Sequence, residues 1–172
     1  MTENQPSVTA VALKYGFITA LVGIVYTLIL NILDQATNAW LTWIVYVILA
    51  AGLIFAMKEF KARNYGYLSY GQGLGLGALL SAIFGLFSGI FSYVYSTYID
   101  PGFMARMQEV QRAKMLEQGL SDEQIEMALG MAEKFQNPLT MIFGSMAVFL
   151  IIGFILSLII AAIMKNKRPE FE

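Results

Sequence analysis

Four stretches of this chain run 18 residues or more without an Asp, Glu, Lys or Arg: residues 15–33, 40–57, 71–99 and 139–164. A helix rises about 1.5 Å per residue, so about 20 residues cross the roughly 30 Å hydrocarbon core of a bilayer. Lipid offers no hydrogen bonds, and a helix satisfies its own backbone groups. The runs therefore predict four transmembrane helices. Composition agrees: 58% of the 172 residues are hydrophobic and 13% are charged, about half the charge usual in soluble domains.

The chain contains no histidine and no cysteine. That removes the commonest metal ligands, the usual general base, thiol nucleophiles and disulfides. No Asp, Glu, Lys, Arg or His lies inside any of the four runs, and such residues mark most proton relays and ion paths. No catalytic residue, metal site or cofactor is expected, and the chain is not expected to be an enzyme. A net charge of −1 provides no basic field for nucleic acid.

The first span is placed at 15–33, behind a short polar segment. It ends in Asn31 and Asp34, and its length favours a retained helix over a cleaved signal. Trp40 and Trp43 open the second span at 40–57, at interfacial depth. Lys58, Glu59, Lys61 and Arg63 close it. Tyr65, Tyr67 and Tyr70 mark the return to the membrane; Tyr93, Tyr95 and Tyr98 mark the far interface. The third run is 29 residues long, about 43 Å as helix, so its span at 72–98 reaches both interfaces. The fourth span is 139–164, closed by Lys165, Lys167 and Arg168.

Residues 100–137 differ from the rest. They hold seven acidic and four basic side chains, nearly half of all the charges. Asp100-Pro101 reads as an N-cap followed by proline at the first helical position. Gly119 reads as a terminator, and Ser121-Asp122-Glu123-Gln124 as a capping box. Asn137-Pro138 stops or bends the second helix. Two helices, about 101–118 and 122–136, are expected outside the hydrocarbon as a hairpin insert within one four-span domain covering 1–172. Seven Lys and Arg flank the spans on the side of the termini and the 58–63 loop. The positive-inside rule assigns that side to the cytoplasm and the acidic hairpin to the periplasm.

Gly73, Gly77, Ser81, Gly85 and Gly89 recur every four residues in the third span. Small residues at this spacing let helix backbones approach closely. The row drifts about 40° per step, so two partners are expected, one near Gly73–Ser81 and another near Gly85–Gly89. Gly23 in the first span and Gly153 in the fourth belong to similar stripes: Thr19, Gly23, Thr27 and Asn31, and Gly153, Ser157 and Ala161. A water-lined or substrate-lined path is the alternative to packing. The run Gly71-x-Gly73-x-Gly75-x-Gly77 lacks the preceding strand and the following Lys-Ser/Thr of a phosphate loop.

In the insert, Phe103, Met107 and Val110 share one helix face, and Ile125, Leu129 and Ala132 share another. Packing on each other, on the bundle end or on a second copy is the plain reading. Met104, Met107, Met115, Met127 and Met131 make a partner-binding surface the alternative, because methionine repacks around varied partners. Copper(I) is a poor fit without His or Cys. The basic residues at 58–63 and 165–168 read as topology determinants, with lipid headgroup contact as the alternative.

Three runs carry a family resemblance. They are Leu68-Ser69-Tyr70-Gly71-Gln72-Gly73, Tyr98-Ile99-Asp100-Pro101, and Gly119-Leu120-Ser121-Asp122-Glu123-Gln124-Ile125-Glu126. In order and spacing they resemble a bacterial membrane family, the domain of unknown function numbered 4199, over nearly the whole chain. The resemblance implies four-span inner-membrane proteins with an insert between the third and fourth spans. It implies no activity and no functional residues. The expected function is a non-enzymatic scaffold or interaction protein of the inner membrane. Its partners are the lipid bilayer and a second copy or another membrane or periplasmic protein, and a small transporter or channel subunit is the alternative.

Overall fold

The computed structural model describes residues 6–166, which form six α-helices and no strand. They are α1 (Val8–Ile32), α2 (Ala39–Arg63), α3 (Tyr70–Val94), α4 (Phe103–Glu117), α5 (Asp122–Lys134) and α6 (Pro138–Met164). A π-helical turn, Tyr95–Ile99, prolongs α3. Lys167 and Arg168 lie outside the described residues. α1, α2, α6 and the 30-residue segment formed by α3 and its π turn are each long and apolar enough to cross a membrane. They also expose rows of large apolar side chains, such as Phe17, Leu21, Val25 and Ile29 on α1, and Val148, Ile151, Ile155 and Ile159 on α6. Such rows would be aggregation patches in water, whereas acyl chains solvate them. The protein is a multi-pass membrane protein.

Local chemistry sets the helix ends. α1 begins earlier than the charge-free run: Ser7 caps it, its Oγ accepting from Ala10 N at 3.3 Å. Apolar residues on both sides of Lys14 carry the helix through it, and a lysine stem lies readily along apolar surface. α2 likewise continues past Met57 to Arg63. These extensions bring charges together. Glu59 meets Lys14 of α1 at 2.7 Å and Arg63 one turn on at 2.5 Å. Lys61 Nζ donates to the Met164 carbonyl at the C-terminus of α6, 3.2 Å away, where a cation suits the helix dipole. Leu68 and Asn166 exchange two backbone hydrogen bonds of 2.9 Å. One end of the bundle is thus fastened.

Capping boxes open α3 (Ser69 with Gln72) and α5 (Ser121 with Gln124). Gly119, at φ +79°, ends α4. The amides of Gly119 and Leu120 return to the carbonyls of Leu116 and Met115, the Schellman arrangement. The start of α4 departs from expectation. The cap residue is Gly102, not Asp100: the Asp100 N–H closes the π turn onto Tyr95 O at 2.8 Å, and its carboxylate pairs with Arg106 beside the first amides of α4. The Arg106 guanidinium engages both carboxylate oxygens, and α4 begins only at Phe103, after Gly102. Asn137-Pro138 separates α5 from α6. Asn137 Oδ1 accepts from Thr140 N at 2.9 Å, and Pro138 takes the first turn.

α3 and α6 make the most extensive helix contact, and α1 and α2 also pack on α3. The small-residue row of α3 meets one partner, not two. A Cβ added at Gly73 would lie 2.6 Å from the Cβ of Ala161, and one at Gly77 would overlap Ser157. Gly153 stands against Ser81 in the same way. Beyond them, Gly85 faces the backbone of Ser145 and Met146, and Gly89 that of Met141 and Ile142. All five positions face α6. The drift does not divide the row because α6 carries its own small residues four apart. Two rows whose period exceeds 3.6 stay together when the helices wrap right-handedly. α1 is what meets two neighbours: Gly16 and Gly23 abut Ile83 and Phe84 of α3, while Thr19 fills the space over Gly52 of α2.

The core occupies the fastened half, where Leu49, Leu53, Met57, Phe60, Leu76, Leu80 and Phe84 are all buried. No residue of α2 before Leu49 is buried. The other half of the bundle is looser, and that is where α4 and α5 sit.

Candidate functional site

α4 is seated across the looser end by a chain of rings. Phe103 stands edge-on to Tyr95 at 5.4 Å, and Tyr95 lies 5.7 Å from Phe91. Tyr95 is buried, although the tyrosine pattern places it at the interface with its neighbours, whereas Tyr98 is exposed. The π turn accounts for this by changing the angular step, so the two rings part. On the next turns of α4, Met107 and Val110 face the connector between α1 and α2. Lys114 Nζ donates a long bond of 3.4 Å to Thr37 O in that connector. α5 contacts α4, and Ile125 is its fully buried residue.

This seating borders two cavities, and a third lies within the bundle. The largest, about 610 Å³, lies between α2, α4 and α6. Trp43, Met107, Ile152 and Leu156 form its apolar walls, and Thr42, Gln111 and Lys114 are polar groups on its lining. A second, of about 300 Å³, lies under α4 against Asn31, Asp34 and Arg106. There the Arg106 guanidinium holds the Asp100 carboxyl below the usual carboxylate range, helped by the Gly102 and Phe103 amides. Asp34 adds a further negative charge near Arg106, from a left-handed backbone position at φ 54°.

The third cavity, about 190 Å³, is enclosed by α1, α2, α3 and α6. Hydroxyls of Thr27, Thr42, Ser88, Ser92 and Ser145 line it together with Phe84 and Phe149. Phe84 is fully buried and stacks edge-on with Phe149 at 4.8 Å. Beyond Phe84 lie the packed leucines of the core, so the cavity ends inside the bundle.

No group of three or more His, Cys, Asp or Glu among the described residues is placed to hold a metal ion. Gly73, Gly77, Ser81, Gly85, Gly89, Gly23 and Gly153 lie at helix contacts. The methionines divide. Met107 lines the two cavities beside α4, Met104 and Met115 are half-buried, and Met127 and Met131 are exposed on α5 at 69% and 57%. Asn31 lies under α4 in the second cavity. Sequence reasoning missed the cleft, including Lys114, Trp43 and Thr37. Nothing in a linear pattern says that α4 folds back over α2. The Lys14–Glu59 pair was missed as well, although the alternation of spans already put both at one end.

No curated protein and no solved structure matches the chain. A family described as "Protein of unknown function (DUF4199)" matches residues 14–166. The match takes in all of α2 to α6 and most of α1, and the chain belongs to the DUF4199 family.

Proposed function

We propose that the protein is a non-enzymatic interaction protein of a bacterial inner membrane, anchored by its four long helices and recognising a protein partner through α4 and α5. The observation that carries this reading is an unburied row on α5 and its continuation. Met127, Met131 and Phe135 recur every four residues and are 57–69% exposed. Glu123 stands beside Met127 on the helix surface, and Asp122, Glu126 and Glu133 occupy another face of the same helix. An apolar stripe on an acidic helix, outside the spanning helices, suits a protein surface of mixed apolar and basic character better than anionic lipid. Both termini belong in the cytoplasm and residues 100–137 in the periplasm on this reading. Lys14, Lys58, Lys61, Arg63 and Lys165 cluster at one end, as positive-inside sorting requires.

A transport role has one observation in its favour, the hydroxyl-lined cavity between the four long helices. That cavity stops at Phe84, so transport would need a second conformation in which the leucine-rich half opens. The interaction reading needs none.

Two measurements test the proposal. With no native cysteine, Ser121→Cys should react with an impermeant maleimide from the periplasmic side and Lys167→Cys should not. Reversed labelling refutes the orientation. A photocrosslinker at position 127 or 131 should give one discrete protein adduct in cells. Adducts to lipid alone refute the partner surface, and solute flux in liposomes that Gly77→Leu abolishes without unfolding favours transport.

A further inference from the structure

The cleft between α2, α4 and α6 has two unlike ends. Deep in it, Ile152 and Leu156 come from the middle of α6, about 21–27 Å along the helix from Pro138. Their neighbours Ile151 and Ile155 are exposed, as is Trp43 on the facing wall. The deep end therefore runs into the acyl region of the bilayer. At the other end, α4 places Gln111 and Lys114 over the α1–α2 connector. Among the described residues, Lys114 is the one charged residue on the lining, and no carboxylate shares it. Its ammonium has three donors, and a single long bond to Thr37 O engages one of them.

We propose that this cleft holds one acyl chain of an anionic phospholipid, with the lipid phosphate at Lys114. An amphiphile with a negative head at interfacial depth and a hydrocarbon tail matches the two ends, and the volume falls in the range of small-molecule sites. The tail leaves one hydrocarbon environment for another and gains little from the hydrophobic effect. Shape complementarity fixes its position. Selection among lipids falls to the headgroup contact, and one lysine near an anionic lipid is worth about fivefold in affinity. The site is separate from the outward row on α5 and does not depend on which way the protein faces.

The test uses the full chain, released from bilayers of equimolar phosphatidylglycerol and phosphatidylcholine and examined by native mass spectrometry. One phosphatidylglycerol should remain bound, preferred about fivefold, and Lys114→Gln should bring the two lipids to parity. Ile152→Trp, which fills the apolar part, should lose both while helicity is kept. A second measurement avoids that bulky change. In a Trp40→Phe background, acyl-brominated phosphatidylglycerol should quench Trp43 more than the brominated phosphatidylcholine does, and Lys114→Gln should remove the difference. Equal retention of the two lipids overturns the proposal, as does a preference that survives Lys114→Gln. Binding of glycerol phosphate in detergent, with the same Lys114 dependence and no lipid retained, overturns the acyl site in favour of a free phosphate.

Discussion

Replacing Gly85 by alanine tests the helix packing at its least forgiving point. The new Cβ would lie 2.7 Å from Met146 Cα, 2.8 Å from Ser145 O and 3.0 Å from Phe149 Cβ. Two of these atoms are backbone, so no rotamer change relieves them. Restoring 3.4 Å requires α3 and α6 to part locally by about 0.7 Å. Overpacking of this kind costs about 1–3 kcal/mol, and alanine returns about 1 kcal/mol of helix propensity. A net loss of about 0–2 kcal/mol is expected. Gly75→Ala is the control: a Cβ there meets nothing within 4 Å, so only the propensity gain of about 1 kcal/mol applies. The variants should therefore differ by about 1–3 kcal/mol, which is at least about fivefold in the folded-to-unfolded ratio. A titration from mild detergent into dodecyl sulfate, followed by circular dichroism and Trp emission, measures this difference. A companion cycle uses Gly77→Ala, whose Cβ would overlap Ser157. Adding Ser157→Gly removes the colliding atoms, so the double variant should be more stable than Gly77→Ala alone, even without the 2.6 Å bond from Ser157 Oγ to Gly153 O. Equal stability of Gly85→Ala and Gly75→Ala would falsify the close-contact account, and so would a double variant no better than the single.

Other outcomes concern the extramembrane chemistry. Ser121→Ala removes one side of a capping box and should cost about 1 kcal/mol locally, seen as faster amide exchange in the first turn of α5 with α1 to α3 unchanged. The Asp100 carboxyl is held low first by its hydrogen bond to Arg106. A lowered folded pKa stabilises fully above the ordinary value near about 3.9 and is lost as pH falls through the folded value. Carboxyl shifts in NMR should thus give a midpoint below that of a free aspartate, and Arg106→Gln should restore it. Protection of the α4 N-terminal amides should fall in the same acidic window in the native protein, whereas Asp100→Asn should show no such pH step.

Sequence alone determined the four spans, because a backbone in hydrocarbon has only its own carbonyls to bond and charge is expelled to the ends. It also determined the turn chemistry at Gly119 and Ser121, where a left-handed backbone position and an orphan helix N–H each call for particular residue types. The Ser69–Gln72 box was equally legible, being the same pattern as Ser121–Gln124. What reached across the chain was not. Asp100 read as a local cap, yet Gly102 takes that place and a guanidinium six residues from Asp100 pairs with its carboxylate. The glycine row of α3 announced close packing without naming its partner, since Gly153, Ser157 and Ala161 became its counterpart only once α6 lay alongside. The fold of α4 over the α1–α2 connector, which makes the cleft and brings Lys114 to its mouth, had no linear signature at all. Periodicity records which face of a helix is apolar or small. Which neighbour covers that face depends on contacts between residues as far apart as Lys114 and Thr37, and only the tertiary structure decides those.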